Sequence, residues 1–166
     1  MKLFSLILIS IFLYSCSGFT PLYEKKDILS YNLKDIAIAT DKKRMSSSIK
    51  KNLLRKLPPI NNKINYIIKI ETKTENNSLV TDTDRKTSGY EIITISNVLL
   101  YKREKAYDRV IFSFEERSVG LFDFSPNQVL STLASRNRVL EMSSESLSKS
   151  ILDRLMLYFS EKDNDN

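Results

Sequence analysis

The chain of 166 residues is long enough for one domain with its own core, and 42% hydrophobic and 28% charged residues are ordinary globular values. Its formal net charge of +6 indicates anionic partners, such as phospholipid headgroups, phosphorylated sugars or nucleic acid. The lack of histidine, the single cysteine and the three glycines exclude histidine catalysis, cysteine-rich zinc sites, internal disulfides and glycine-rich phosphate loops.

The N terminus carries an apolar run that ends just before the only cysteine. Lys2 precedes the uncharged residues 3–14, which are fewer than the roughly 20 that span a bilayer but have the length of a signal-peptide core. Leu13, Ser15 and Cys16 resemble the bacterial lipobox, in which the cysteine thiol receives diacylglycerol before cleavage, although Tyr14 is bulky for its place. We predict a lipoprotein signal peptide at 1–15, a lipidated Cys16 and an acylated tether at 16–27.

Two other readings of this segment are less consistent with the residues. A buried strand would show alternation, which the run lacks. An ordinary signal sequence would leave Cys16 as an odd thiol in an oxidising compartment. Export would also separate the protein from nucleic acid, so we expect no nucleic-acid partner and favour anionic lipid as the partner.

The first predicted elements of the domain are a strand and a basic helix. Residues 33–40 place Ile36 and Ile38 on one strand face, with alanines opposite. The helix is capped within 46–48, carries an apolar stripe and is stopped by prolines 58–59. The stripe consists of Ile49, Leu53, Leu54 and Leu57. Its lysines and arginines would contact an anionic surface or, as we favour, form a solvated face.

Three strands are predicted next. Alternation from residue 64 to 73 predicts a half-buried strand, 90–101 a central strand with two apolar faces, and 107–119 a third strand. The connection 75–89 is too long for a tight turn, so part of it is expected to extend the strands. The connection 102–106 is short and basic. Adjacent carboxylates Glu115 and Glu116 face opposite sides of a strand, so they form no paired catalytic site.

A long helix closes the chain. Ser125, Pro126 and Gln128 fit a capping box, and an apolar stripe continues to residue 160, followed by a polar tail at 161–166. The stripe consists of Leu133, Leu140, Leu147, Ile151, Leu155 and Tyr158. Residues 28–160 are therefore predicted as a single α+β domain of order β-α-β-β-β-α, with two helices on one face of a four-stranded mixed or antiparallel sheet.

The face of the predicted sheet without helices is unusually apolar. Four large side chains are assigned to it: Ile67, Ile93, Ile95 and Leu99. An exposed apolar sheet surface is typical of a partner-binding site. We therefore expect this domain to work inside a larger assembly.

The residues 16–23, Cys-Ser-Gly-Phe-Thr-Pro-Leu-Tyr, resemble the start of the LPS-assembly lipoprotein LptE family, most closely its alphaproteobacterial form. The family usually has Cys-Gly-Phe-x-Pro-Leu-Tyr, so Ser17 is an insertion. The similarity continues in 46–57 and in 151–159. The chain departs from the family pattern at 103–106, where a turn with glycine is usual, and at 135–138, which is more basic than the usual acidic version.

The resemblance implies a non-enzymatic lipoprotein of the cell outer membrane, lipid-anchored on the periplasmic side. Such proteins lodge in the LptD β-barrel, help it assemble, plug it and assist delivery of lipopolysaccharide to the cell surface. Basic side chains are thought to touch the lipopolysaccharide phosphates. The candidates here are Arg85, Lys86, Lys102, Arg103 and Lys105.

Alternatives to this interpretation remain open at the level of sequence. The five basic side chains could equally be solubilising loop charges. The whole protein could instead be a periplasmic carrier of lipid or lipoprotein anchored to the outer membrane, which would need a deep apolar cavity. A carboxylate-dependent surface hydrolase has the least support, so we predict no enzyme, no catalytic residue, no cofactor and no metal site.

Overall fold

The described part of the chain folds into four strands and two helices. The computed structural model describes residues 33–59, 64–80, 87–104, 107–125 and 127–164. In chain order the elements are β1 (Ile36–Thr40), α1 (Arg44–Lys56), β2 (Tyr66–Val80), β3 (Thr87–Arg103), β4 (Asp108–Asp123) and α2 (Val129–Asn164). This order confirms the predicted α+β fold.

The strands form one mixed sheet in the order β1-β2-β3-β4. β1 and β2 are parallel, with Ile38 opposite Ile68, because α1 carries the chain back across the sheet between them. The pairs β2–β3 and β3–β4 are antiparallel. Asn77 pairs with Glu91, so most of the predicted 75–89 connection is strand, as expected, and the hairpin connection is 81–86.

The hydrophobic core lies between the sheet and both helices. The helices α1 and α2 and the strands β2 and β3 contribute side chains that are at most 1% exposed: Ile49, Leu53, Ile68, Ile70, Val98, Leu100, Leu147, Ile151 and Leu155. An aromatic cluster closes one end of the core. Phe112 stacks on Tyr158 at a ring distance of 4.6 Å, and Tyr66 meets Phe159 edge-on at 5.1 Å. Such pairs stabilise beyond their buried area by about 0.5–1.5 kcal/mol each.

The helix α1 starts earlier than predicted. It begins at Arg44 instead of after 46–48, so the serines proposed as caps lie inside the helix. Ser46 is buried and shares a 2.7 Å hydrogen bond with the Thr72 hydroxyl of β2. Leu54 was assigned to the buried stripe but is 45% exposed, because the core is reached by only part of the helix surface.

The helix α2 is longer than predicted at its C terminus and less buried at its start. It continues to Asn164, four residues into the predicted polar tail, since neither glycine nor proline stops it there. Leu133 was assigned to the core stripe but is 48% exposed. In place of a capping box, a backbone turn precedes the helix, with the Gln128 N–H donating to the Ser125 carbonyl at 3.0 Å.

The approach of α2 to the sheet depends on a glycine. A Cβ atom at Gly120 of β4 would stand 2.3 Å from Cγ1 of Val139 and 3.6 Å from Oγ of Ser143. A larger residue at this position would therefore collide with α2.

Neither helix of the described residues contains an apolar stretch long enough to span a bilayer.

Candidate functional site

The outer face of the sheet, which is the face turned away from α1 and α2, is the first candidate site. Strand register places Ile93 of β3 directly opposite Val119 of β4, with Ile95 and Leu121 as neighbours on the same face. We call these four residues the outer patch. Val119 is 50% exposed and Leu121 is 62% exposed, whereas Ile93 is only 8% exposed and Ile95 is partly covered, so the accessible part of the outer patch lies on β4. Alternation along β2 and β3 places Ile67 and Leu99 on the outer face as well, as predicted.

Ion-paired side chains of β2 lie beside the apolar residues of β3 on the outer face: Lys69 is opposite Leu99, Lys73 opposite Ile95 and Glu75 opposite Ile93. Lys69 contacts Glu71 at 2.7 Å, and Lys73 contacts Glu75 at 2.6 Å. The hydrogen bond from Lys73 lowers the pKa of Glu75, and the hydrogen bond to Glu71 raises the pKa of Lys69. Because these pairs are exposed, they contribute little to stability. The outer face is therefore charged along β2, and its apolar part lies on β3 and the end of β4.

A second candidate site is the basic end, which we define as Lys102, Arg103 and Arg109. Lys102 and Arg103 end β3, and both side chains are exposed. The register of β3 and β4 places Arg109 directly opposite Lys102. Like charges in this arrangement destabilise a sheet. None of the three forms an ion pair with another described residue. Arg103 is directly opposite Asp108 and faces the other side of the sheet from Lys102, so the repulsion that an anion would relieve is between Lys102 and Arg109.

Sequence reasoning missed Arg109. Its position opposite Lys102 depends on the register of the β3–β4 hairpin, which shifts by a bulge between Leu100 and Tyr101. The seven-residue spacing between the two cations, within a predicted hairpin, is the only signal that could have indicated the pair.

Four of the predicted site residues lie outside the described residues: Cys16, Arg85, Lys86 and Lys105. The structure nevertheless separates the two predicted basic connections. β3 links them and spans Thr87–Arg103, so its ends are about 50 Å apart. Residues 85–86 precede one end, whereas Lys102 and Arg103 lie at the other.

A cleft lies on the opposite side of the sheet, between the N terminus of α1 and the first half of α2. Its volume is about 670 Å³, and its lining includes Lys43, Arg44, Arg136, Thr72, Thr74 and Glu141. We call it the inner cleft. It is lined largely by charged and hydroxyl side chains. Among the described residues, no group of three or more histidine, cysteine, aspartate or glutamate side chains could hold a metal ion.

Comparison with known proteins identifies the fold. No family model matches the chain, and no curated protein matches it. Several solved structures are similar. A protein of Caulobacter crescentus assigned as a lipoprotein superposes with a TM-score of 0.61 at 12% identity, covering 81% of this chain and 96% of that one.

Two further structures are similar over most of their length. An uncharacterized lipoprotein B of Nitrosomonas europaea gives a TM-score of 0.60 at 17% identity, covering 75% of this chain and 83% of that one. The rare lipoprotein B of Shewanella oneidensis gives 0.52 at 10% identity, covering 78% and 96%. At these identities the similarity shows that the chain shares a fold found in bacterial lipoproteins.

Proposed function

We propose that this protein is an acylated lipoprotein of the outer membrane, held on the periplasmic side, and a non-catalytic subunit of the lipopolysaccharide translocon. In this role it assembles with an LptD-like β-barrel, plugs it and assists insertion of lipopolysaccharide at the cell surface. The observation that carries the proposal is the fold shared with bacterial lipoproteins across nearly their whole length. The N-terminal phrase 16–23 supports the same assignment.

Anchoring depends on Cys16. Acylation of the thiol and of the new amino terminus supplies more than one hydrocarbon chain, which is enough for stable attachment to a membrane. The domain then stays beside the bilayer in which its barrel partner is inserted.

The outer patch is the proposed contact with the barrel. Val119 and Leu121 are at least half exposed, and burying the exposed half of such a side chain stabilises a complex by about 1 kcal/mol. The charged β2 side of the outer face, with Lys69 and Lys73 already paired, can meet the polar lining of a barrel lumen without leaving an unpaired charge.

The basic end is the proposed contact with lipopolysaccharide. Lys102, Arg103 and Arg109 offer charge-assisted hydrogen bonds to phosphate oxygens of the lipid's sugars. Arg85, Lys86 and Lys105 remain candidates for the same role.

The alternative, a carrier of lipid or lipoprotein, needs a deep apolar cavity for acyl chains. The inner cleft has an apolar wall of Met45 and Leu140, but charged and hydroxyl groups face the rest of it, so it is not the wholly apolar cavity that acyl chains need. This favours the translocon subunit over the carrier.

The test is affinity capture of the full chain from its native host, after the membranes are dissolved in a mild detergent. We expect an outer-membrane β-barrel to be captured with the wild-type protein and lost with Val119→Lys. The matched control is Leu54→Lys on α1, where the side chain is 45% exposed, similar to the 50% of Val119. Recovery of the protein alone, together with normal surface lipopolysaccharide after depletion, would contradict the proposal.

A further inference from the structure

The inner cleft concentrates positive charge that neither the fold nor the proposed function uses. Lys43 and Arg44 enter it from the start of α1, and Arg136 enters it from α2. Arg44 and Arg136 form no ion pair with another described residue. Glu141 is the acidic side chain of the lining, so the cations outnumber it. A cleft with unpaired guanidinium groups is suited to an anion.

Hydroxyl groups and backbone atoms make the rest of the cleft polar. Thr72 and Thr74 of β2 form part of its wall, with Ser48 of α1. The Lys43 ammonium group donates a 2.5 Å hydrogen bond to the Thr72 carbonyl, which fixes this side chain against the sheet. Its contact with Asp41 is longer, at 3.4 Å. Lys43 is therefore held at the wall of the cleft by the sheet and by Asp41, and Arg44 and Arg136 are the guanidinium groups left to meet a ligand.

The start of α1 carries more positive than negative charge. The first turn contains no acidic residue, and the N-cap residue, Lys43, makes no side-chain hydrogen bond to the helix. The carboxylate beside this end is Asp41, which accepts a hydrogen bond from the Lys43 N–H and pairs with the Lys43 ammonium group. Because Asp41 is paired with Lys43, the positive charge of Arg44 is the part that remains for the cleft.

Arg136 lies in the basic segment 135–138, Ser-Arg-Asn-Arg, of α2. Only part of this segment faces the cleft: Arg136 and Asn137 line it, whereas Arg138 is exposed and does not.

We propose that the inner cleft binds a phosphate monoester, with Arg136 and Arg44 as the principal ligands of the phosphate. Guanidinium groups match phosphate oxygens in pairs of parallel hydrogen bonds, and a monoester carries nearly two negative charges at neutral pH. The volume of about 670 Å³ exceeds that of phosphate alone and accommodates an attached sugar or headgroup. Met45 and Leu140 give the cleft an apolar wall for that group.

The test is isothermal titration of the full acylated chain in non-ionic detergent micelles at constant ionic strength. Three probes carry the same chemistry: inorganic phosphate, glucose 6-phosphate, and mixed micelles containing phosphatidic acid. Glucose is the uncharged control. The probe that binds most tightly distinguishes a soluble ester from a membrane lipid as the source of the phosphate.

Arg136→Gln is the decisive variant, and Arg138→Gln is its matched control because both remove one charge from neighbouring positions. We expect Arg136→Gln to weaken phosphate binding by about tenfold, the loss expected for one charge-assisted contact, and Arg138→Gln to change it less than about twofold. Circular dichroism verifies the fold of each variant. Should Arg136→Gln not fold, Arg44→Gln provides the same test.

Three results would overturn the inference: no binding of any phosphate probe by the wild type, binding unchanged by Arg136→Gln, or equal loss in both variants. The outcome is independent of the barrel partner. Val119→Lys alters the other side of the sheet, so it should leave phosphate binding intact even where it prevents capture of a barrel.

Discussion

Replacing Gly120 with alanine should loosen the attachment of α2 to the sheet. The added Cβ atom would lie 2.3 Å from Cγ1 of Val139, whereas carbon atoms pack at about 3.5–4.0 Å. One of the two must therefore move by more than about 1 Å. A valine in a helix has one strongly preferred rotamer, so its side chain cannot simply turn away.

Two opposing terms set the size of the effect. Overpacking of a core contact costs about 1–3 kcal/mol. Alanine in a strand is preferred over glycine by about 0.5–1 kcal/mol, which offsets part of that cost. We expect Gly120→Ala to lower the free energy of unfolding by about 1–2 kcal/mol. Val139→Ala removes the obstructing methyl groups, so the double variant should be as stable as Val139→Ala alone or more stable by up to about 1 kcal/mol.

The measurement is urea denaturation of the full chain in mild detergent, followed by circular dichroism, for the four members of this cycle. Gly89→Ala is the matched control, because its Cβ atom would stand 2.8 Å from the Phe122 carbonyl oxygen, a backbone atom far from Val139. Val139→Ala should not rescue it. If Gly120→Ala were as stable as the wild type, or if Val139→Ala rescued both glycine variants equally, the close approach of α2 at this point would be refuted.

Three further predictions concern the core, the basic end and an acidic group. Ile70→Ala, at a fully buried position, should lower the free energy of unfolding in urea by about 2–5 kcal/mol, and a loss below about 1 kcal/mol would contradict the assigned core. Lys102→Gln should raise the free energy of unfolding by about 0.2–1 kcal/mol, because it relieves repulsion from Arg109 directly opposite. The same variant should weaken binding of lipopolysaccharide. A lower free energy of unfolding would oppose this explanation. Burial alone would raise the pKa of Asp41, but hydrogen bonds from Ser46 and Lys43 outweigh it and lower the pKa below 3.8. The stabilisation from the ionised Asp41 is therefore present above its unfolded pKa and is lost as the pH falls through the lowered folded-state pKa. The thermal unfolding temperatures of wild type and Asp41→Asn should thus converge in acid. A difference between the two temperatures that stays constant down to pH 2 would argue against this role of Asp41.

The order of elements and the two faces of the sheet were predictable because their signals are local. Alternation in β2 places Ile68 and Ile70 on the core face and Ile67 on the other, whatever the strand's partners are. The extended β2–β3 hairpin was also anticipated, because 75–89 is too long for a turn. The parallel pairing of β1 followed from the helix between the strands.

The boundaries of the core were harder to predict, because amphipathic stripes do not show how far the sheet reaches beneath a helix. Leu54 and Leu133 fit the helical period yet lie largely in solvent. The start of α1 was misplaced for a similar reason, because a serine at the edge of a helical pattern can act as a cap or lie inside the helix. Ser46 lies inside α1 and shares a buried hydrogen bond with the Thr72 hydroxyl.

The candidate sites depend on contacts between distant parts of the chain. Arg44 and Arg136 are brought to one cleft by the packing of α1 on α2, and no local pattern links residues so far apart. Arg109 joins Lys102 through strand register alone. In each case the residue type was evident, but its neighbours required the fold.

Photo-crosslinking in the native host tests the central claim most directly. A photoreactive amino acid placed at Leu121, in the outer patch, should form a covalent adduct with an outer-membrane β-barrel, while the same group at Leu54 should form little or none. A protein recovered from the cytosol with an unmodified Met1, and without such an adduct at Leu121, would contradict the account.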